Sequence, residues 1–382
     1  MMQAFVNGRV LAGAEFLEHH AVLVDNGRIE ALVPDDDPRC DQAQRHDLNG
    51  QLLLPGFIDT QVNGGGGVLF NDEPTVEAID RIGRAHRRFG TTSFLPTLIS
   101  DDLTVVATAI AAAEQAIAAG IPGVKGVHIE GPFLNEARKG VHNSAKFRDL
   151  DAKALRLLTS MKRGKTLVTL APEMTDPETS AKLAAAGVVV SAGHSNATYK
   201  IIETALKHGL TGFTHLFNAM SQMTARDPGV VGAALHDQHS WCGLIVDGRH
   251  VDPVMLQLAL RCKRLDRFML VTDAMPIVGT TRAFFMLQGK RIFVDGDACV
   301  DSDGTLAGSA LSMAQSIRNA VRLLNVELID AIRMASEYPA AFLGYGHELG
   351  KIAPGYRADF VVADDALAVH ETWIDAQPFR ND

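Results

Sequence analysis

The sequence lacks several features that mark particular classes of protein. It has only four cysteines, Cys40, Cys242, Cys262 and Cys299, and no CxxC pair, which argues against a disulfide framework and fits a reducing compartment. No apolar run approaches the roughly 18 residues of a membrane span. We expect no signal peptide, because "MMQAFVNGRV" has neither a basic region nor a long apolar stretch. These absences favour a soluble cytoplasmic protein with no membrane partner.

An excess of positive charge is also missing. The 382 residues include 36 Lys+Arg and 45 Asp+Glu, for a net charge of −9 at pH 7, and 47% are hydrophobic, enough for a large core. Binding to a phosphate backbone depends on a basic face, so this balance disfavours nucleic acid as a partner. A small anionic substrate stays open, because it needs only one or two local cations.

Both ends of the chain are rich in β-strand patterns. In "AVLVDNGRIEALV", two β-rich runs flank Asn26-Gly27, a pair typical of a type I′ hairpin turn. The stretch "GKIAPGYRADFVVADDALAVHETWIDA" has short strands, turn residues and no helical period. We therefore predict one small β domain formed by residues 1–53 and 347–382, interrupted by a larger unit over residues 54–346.

The middle of the chain alternates apolar strands with amphipathic helices. Parallel sheets that are covered on both faces have such near-continuous apolar strands. Eight units of this kind predict an α/β fold of the (β/α)₈ type, a TIM barrel. A doubly wound open sheet is the alternative, but no GxGxxG follows any strand. An extra hairpin is expected at 284–306. The eight predicted strands are 52–61, 91–99, 124–131, 165–173, 188–194, 212–218, 242–250 and 268–274.

Polar residues end most of these strands, where the active site of such a barrel lies. A charged residue after an apolar run is costly unless it is paired or bound to a metal. A lone histidine at a strand end is more often a hydrogen-bonded structural residue, and a lone aspartate can cap the next segment. One shared site explains five ionisable residues at strand ends better than five unrelated structural roles do. The six strand-end residues are Gln61, Glu130, His194, His215, His250 and Asp273.

Three of these residues suit a metal ion. His194 and His215 come from neighbouring strands, and Glu130 lies two strands earlier. Two imidazoles and a carboxylate form a site for a divalent transition metal with a position left open for water. Such a metal lowers the pKa of water from ~15.7 toward ~7, and Asp273 on the eighth strand can act as the base. The pattern predicts hydrolysis of an amide-like bond.

Short motifs in a fixed order then add a family resemblance. The strings are "LPGFIDTQVNG", "HIEGPFLN", "RKGVHN", "SAGHSNA", "THLFNAM", "DGRHVD", "LVTDA" and "GTLAGS". Together they resemble the amidohydrolase superfamily and, within it, the N-acetylglucosamine-6-phosphate deacetylases. The resemblance implies a (β/α)₈ barrel with a small β-sandwich, removal of acetate from the sugar's 2-acetamido group, and a homodimer.

Two alternative hypotheses compete with this interpretation. The first keeps the mechanism and changes the substrate to another N-acetylated amino sugar phosphate or an N-acyl amino acid. The second is a non-catalytic scaffold of the same fold. Such scaffolds typically lose the metal ligands or the aspartate, whereas this sequence has all four, so catalysis is favoured.

The resemblance also concerns the number of metal ions. Many superfamily members hold a second metal with an HxH pair on the first strand, where this chain has Gln61 and Asn63. The resemblance therefore implies one metal per chain, bound by Glu130, His194 and His215. Zinc is favoured, and iron, cobalt or manganese would also suit these ligands.

The resemblance also implies roles for individual residues. It makes Asp273 the acid/base, and it places His142 to polarise the acetyl carbonyl. Arg226 and His250 would face the phosphate, with Arg226 reaching from the other subunit. The other residues implied to touch the sugar or ligand, mostly through the main chain, are Val141, Asn218, Ala219, Leu306, Ala307 and Gly308.

Overall fold

A parallel barrel forms the centre of the molecule, in a computed structural model that describes residues 2–379. Its strands neighbour one another in chain order, and main-chain bonds between residues 61–63 and 273–274 join the last strand to the first. This confirms the barrel and excludes the open sheet. The eight strands are Phe57–Val62, Thr91–Ile99, Gly126–Glu130, Lys165–Leu170, Val189–Ala192, Leu210–Phe213, Trp241–Leu244 and Phe268–Leu270.

Amphipathic helices cover the barrel. The first of them shows why they form: Thr75 caps its N-terminus by accepting a hydrogen bond from Ala78 N–H, and Ala78, Ile79 and Ile82 are buried against the sheet. No helix within residues 2–379 is long and apolar enough to cross a membrane. The α-helices are Pro38–Gln42, Val76–Arg87, Leu103–Ala118, Ala152–Leu158, Pro177–Ala185, Tyr199–Lys207, Gly229–His236, Pro253–Cys262, Met313–Leu324, Leu328–Met334 and Glu337–Phe342.

Both chain ends form a two-sheet sandwich. Phe5 of one sheet packs edge-on against Phe360 and Trp373 of the other, with ring centroids 5.1 and 4.9 Å apart. Asn26 and Gly27 both have positive φ at the first hairpin, as predicted. In spatial order, one sheet contains Arg28–Pro34, His20–Asp25, Gln3–Val6 and Gln44–Asp47, and the other contains Gln377–Phe379, Val369–Ile374, Phe360–Ala363, Leu52–Pro55, Arg9–Ala12 and Glu15–Leu17.

The segment after the eighth strand is larger than the single hairpin expected there. It is a four-stranded antiparallel sheet, because two further turns follow the first one. Its inner face buries Phe285, Leu287 and Ile292 over the mouth of the barrel. The four strands are Phe284–Leu287, Lys290–Asp295, Ala298–Val300 and Leu306–Ser309.

Candidate active site

A cavity of about 200 Å³ opens at the carboxyl ends of the barrel strands. The inserted sheet forms one wall through its last strand. Glu130, His194, His215 and Asp273 line the cavity together. So do eight of the nine residues expected to touch substrate: Val141, His142, Asn218, Ala219, His250, Leu306, Ala307 and Gly308.

Glu130, His194 and His215 form one buried cluster, and each is at most 5% exposed. Glu130 Oε1 lies 3.1 Å from His194 Nε2 and 2.9 Å from His215 Nε2, and the two imidazole nitrogens are 3.2 Å apart. Burial opposes the charge on Glu130, but its close contacts with the imidazoles of His194 and His215 outweigh burial and hold its pKa well below the usual value.

The tautomer of His194 shows that this cluster fits a cation. Its Nδ1–H donates to the carbonyl of Arg138 at 2.8 Å, so neutral His194 presents the lone pair of Nε2 to the cluster. That lone pair faces an oxygen of the Glu130 carboxylate and a second imidazole nitrogen. Lone pairs this close repel one another unless a proton or a metal cation lies between them. The three residues therefore fit a divalent transition metal.

Gln61 and Asn63 contribute hydrogen-bond donors to the same region. Gln61 Nε2 lies 3.2 Å from Glu130 Oε2 and 3.1 Å from Asp273 Oδ1, and Asn63 Nδ2 lies 2.6 Å from the same Asp273 oxygen. Both amide nitrogens thus serve carboxylates and have no lone pair to offer a metal. Asp273 Oδ1 accepts hydrogen bonds from both amides, so Asp273 Oδ2 is the oxygen that remains available to accept a proton.

Asp273 combines a perturbed pKa with a constrained backbone. Burial, and then the charge of Glu130, raise its pKa to about 6. Its φ is +52°, and His194 and His215 also have positive φ, at +49° and +34°. This conformation costs a non-glycine residue about 1–2 kcal/mol. Positive φ at two of the proposed ligands and at the proposed base is a kind of strain that functional sites can hold.

His142 is oriented by a residue that the sequence did not suggest. Ser100 N–H donates to His142 Nδ1 at 3.3 Å, so this nitrogen is an acceptor and the ring proton sits on Nε2. The Ser100 hydroxyl lies 2.8 Å from the same nitrogen. Burial, and then the nearby His194, lower the pKa of His142 well below its ordinary value. His142 is therefore a neutral donor, suited to polarise a carbonyl oxygen.

His250 also has a partner that sequence reasoning missed. Its Nδ1 lies 2.5 Å from Asp247 Oδ2, and the Asp247 side chain is fully buried. Burial opposes the charge on Asp247, but the bonds from His250 hold its pKa below the usual value. This i, i+3 spacing within "DGRH" was a signal available in the sequence.

Arg226 is not brought to the cavity by its own chain. It lies in the exposed segment 222–228, and among residues 2–379 it has no hydrogen bond or ion pair. The segment leaves the barrel after the sixth strand and returns at the helix Gly229–His236.

Comparison with known proteins places the chain in a family. Residues 52–380 match the amidohydrolase family, and residues 2–53 match the NagA composite domain. The chain belongs to the amidohydrolase family. It is 41% identical to N-acetylgalactosamine-6-phosphate deacetylase of Shewanella sp. (strain ANA-3), over 96% of this chain and 93% of the relative.

Two further similarities concern N-acetylglucosamine-6-phosphate deacetylases. The Haemophilus influenzae protein is 34% identical, over 95% of each chain. The crystal structure of the Pasteurella multocida protein is 35% identical, with a TM-score of 0.95 over 100% of each chain. Within its family, the chain is therefore similar to deacetylases of N-acetylhexosamine 6-phosphates.

Proposed function

We propose that this protein hydrolyses the N-acetyl group of N-acetyl-D-glucosamine 6-phosphate to acetate and D-glucosamine 6-phosphate. One observation carries the proposal: the cluster of Glu130, His194 and His215 shares a cavity with Asp273 and His142. These are the groups that amide hydrolysis requires: ligands for a Lewis acid, a base, and a donor for the carbonyl oxygen.

The cluster would hold one divalent cation per chain, with zinc favoured and iron, cobalt or manganese also suited to its ligands. When bound, such a cation supplies Lewis-acid chemistry, which lowers the pKa of water from about 15.7 toward about 7. The proposal of only one metal ion per chain rests on Gln61 and Asn63, because their amide nitrogens donate hydrogen bonds to carboxylates.

Two residues then move or hold protons. Asp273 accepts a proton from water as the water oxygen attacks the acetyl carbon, and His142 Nε2–H donates to the carbonyl oxygen on which charge develops. Asp273 passes its proton to the nitrogen as the C–N bond breaks. The amine needs this proton because it is a poor leaving group without it.

Sugar and phosphate recognition complete the proposed site. His250 and Arg226 would contact the phosphate, with Arg226 contributed by the partner subunit of a homodimer, which its exposed position permits. The other proposed ligand contacts are Val141, Asn218, Ala219, Leu306, Ala307 and Gly308.

The proposal also covers the domain organisation and the location of the protein. Residues 1–53 and 347–382 would form the small domain around a catalytic domain at 54–346. The four free cysteines support a cytoplasmic location.

N-Acetyl-D-galactosamine 6-phosphate is a second candidate substrate. It differs from the first only in the configuration at C4, and the reaction at the acetamido group is the same. The observation in its favour is the 41% identity to a relative that is named for this sugar, against 34% for the Haemophilus influenzae glucosamine enzyme.

Acetate release from metal-depleted protein tests the proposal. Zinc, iron, cobalt and manganese are restored one at a time, with both 6-phosphates and unphosphorylated N-acetylglucosamine as substrates. We expect metal-dependent release and a clear preference for a phosphorylated sugar. A tenfold higher kcat/KM for the galactosamine compound, about 1.4 kcal/mol, would select the second candidate. No release from any of the sugars with any of the metals would overturn both.

A further inference from the structure

The main chain around Asp273 is held from two directions. Asp273 lies beyond the last residue of the eighth barrel strand and has a φ of +52°. Its own N–H donates to the carbonyl of Gln61 at 3.0 Å. On the other side, Ser309 N–H donates to the Asp273 carbonyl at 2.9 Å, and the Ser309 hydroxyl donates to the Thr272 carbonyl at 2.5 Å. A single buried serine thus bonds to both peptide groups that flank the side chain of the proposed base.

The direction of the Ser309 hydroxyl proton is fixed by its partners. Leu311 N–H donates to Ser309 Oγ at 3.0 Å, so the oxygen accepts there, and its proton is directed at the Thr272 carbonyl, which can only accept. Met275 N–H donates to the carbonyl of Ser309 at 2.9 Å. Ser309 is 0% exposed, so water cannot replace any of these bonds.

Ser309 also ends the strand that faces the proposed sugar site. Leu306, Ala307 and Gly308 line the cavity, and the strand Leu306–Ser309 places Ser309 directly after them. At Gly308, an added Cβ would lie only 2.9 Å from the carbonyl oxygen of Asp273. The sugar-facing strand and the main chain of Asp273 are therefore in direct contact, so displacement of one displaces the other.

We infer that Ser309 is a positioning residue for Asp273, and that it joins the sugar-facing strand to the base. The inference rests on the proposed function, in which Asp273 carries the proton. Ser309 touches no reacting atom; it acts by keeping the Asp273 carboxylate between its two amide donors and the cavity. Loss of its hydroxyl would leave the backbone next to Asp273, whose φ is strained, with fewer restraints.

The first test compares Ser309→Ala with Ser312→Ala. Ser312 is also buried, but its hydroxyl accepts from Gln315 N–H at the start of the next helix. We expect Ser309→Ala to lower kcat about 10- to 100-fold, as for a catalytic group displaced by about 1 Å, with KM within threefold and metal content unchanged. Ser312→Ala should lower thermal stability and keep kcat within twofold. Equal kcat in Ser309→Ala and wild type would overturn the inference.

A double-mutant cycle separates positioning from general damage. In an Asp273→Asn background, Ser309→Ala should lower the residual activity less than twofold, because the residue it positions no longer carries the proton. A loss as large as in the wild type would mean that Ser309 does not act through Asp273, and would overturn the inference. If Ser309→Ala does not fold, Ser309→Cys replaces it in the same cycle, since a thiol keeps the volume and donates weakly.

A wild-type protein that releases no acetate would overturn the proposed function without deciding the role of Ser309. Crystal structures of the wild type and Ser309→Ala then decide it. A shift of the Asp273 carboxylate away from Gln61 and Asn63 would support the inference. Superimposable Asp273 main and side chains would overturn it.

Discussion

Asp273→Asn changes one atom of the proposed base and keeps its shape. In the wild type, Oδ1 accepts hydrogen bonds from Gln61 Nε2 at 3.1 Å and from Asn63 Nδ2 at 2.6 Å. An asparagine can keep both bonds if its carbonyl oxygen takes the place of Oδ1. The reverse orientation would point an NH₂ group at two NH₂ donors and lose both bonds. The structure therefore fixes which way the new side chain faces.

In that orientation the asparagine NH₂ replaces Oδ2, and a group that accepted a proton becomes a donor. We expect kcat to fall by about 10²–10⁴, or about 3–5 kcal/mol of barrier, the usual range for loss of a general acid–base group. Metal content should survive, because Glu130, His194 and His215 are untouched. The fold should be no less stable, since burying an amide costs less than burying a carboxylate.

The assay is acetate release as a function of pH, with metal analysis of the same samples. A base must be ionised to act, so the wild-type kcat/KM should rise with pH through the pKa of Asp273. Burial raises that pKa to about 6, and a bound cation favours ionisation, so this limb should lie at or below pH 6. The Asp273→Asn variant should no longer show this rise of kcat/KM with pH. Near-full activity with metal bound would refute the role of base, and loss of the metal would show that Asp273 is mainly a ligand.

Three further predictions concern the metal, the phosphate and stability. Metal analysis of the wild type should approach one equivalent per chain. The Glu130→Gln variant should lose the metal, because the Glu130 carboxylate supplies the only negative charge among the ligands. Two tightly held equivalents in the wild type would contradict the single site. Arg226→Ala should raise KM roughly 10- to 100-fold for a phosphorylated sugar, as expected for a charged hydrogen bond, and leave the unphosphorylated sugar unaffected; equal effects on both would refute its role. Burial lowers the pKa of His86 to about 4 from 6.5, so between these pH values the unfolded chain binds a proton that the folded chain does not. The free energy of unfolding should therefore fall by about 3 kcal/mol as the pH drops from 6.5 to 4. Urea unfolding of His86→Gln, which keeps a donor for the Gly64 carbonyl, should show less of this fall, and an unchanged pH dependence would contradict the assignment.

The barrel was predictable because its signal is local. A strand such as Thr91–Ile99 is buried throughout, so it carries no charged residue, and the strand end marks where the site begins. The inserted sheet was underestimated for a related reason. Its strands are only three to six residues long, and most of them are partly exposed, as in Phe284–Leu287, so each one carries little signal by itself.

Contacts that depend on loop conformation could not be predicted. Ser100 follows the second barrel strand and His142 lies in the loop after the third, and no spacing rule joins them. The same holds for Ser309 and Thr272, which meet because the inserted sheet folds back on the barrel. Asp247 and His250 differ, since they are three residues apart and their pairing could have been inferred from sequence.

The pair Gln61 and Asn63 connects the proposed metal count with the proposed chemistry. Glu130 and Asp273 are two carboxylates in one site, and Gln61 Nε2 donates to both. A second cation at this point would neutralise Asp273 and take up the lone pairs that a base needs. Amide donors instead stabilise the ionised carboxylate through one oxygen and leave the other free to accept a proton. In the proposed mechanism, the amide donors of Gln61 and Asn63 on the first strand would therefore keep one oxygen of Asp273 free to act as the base.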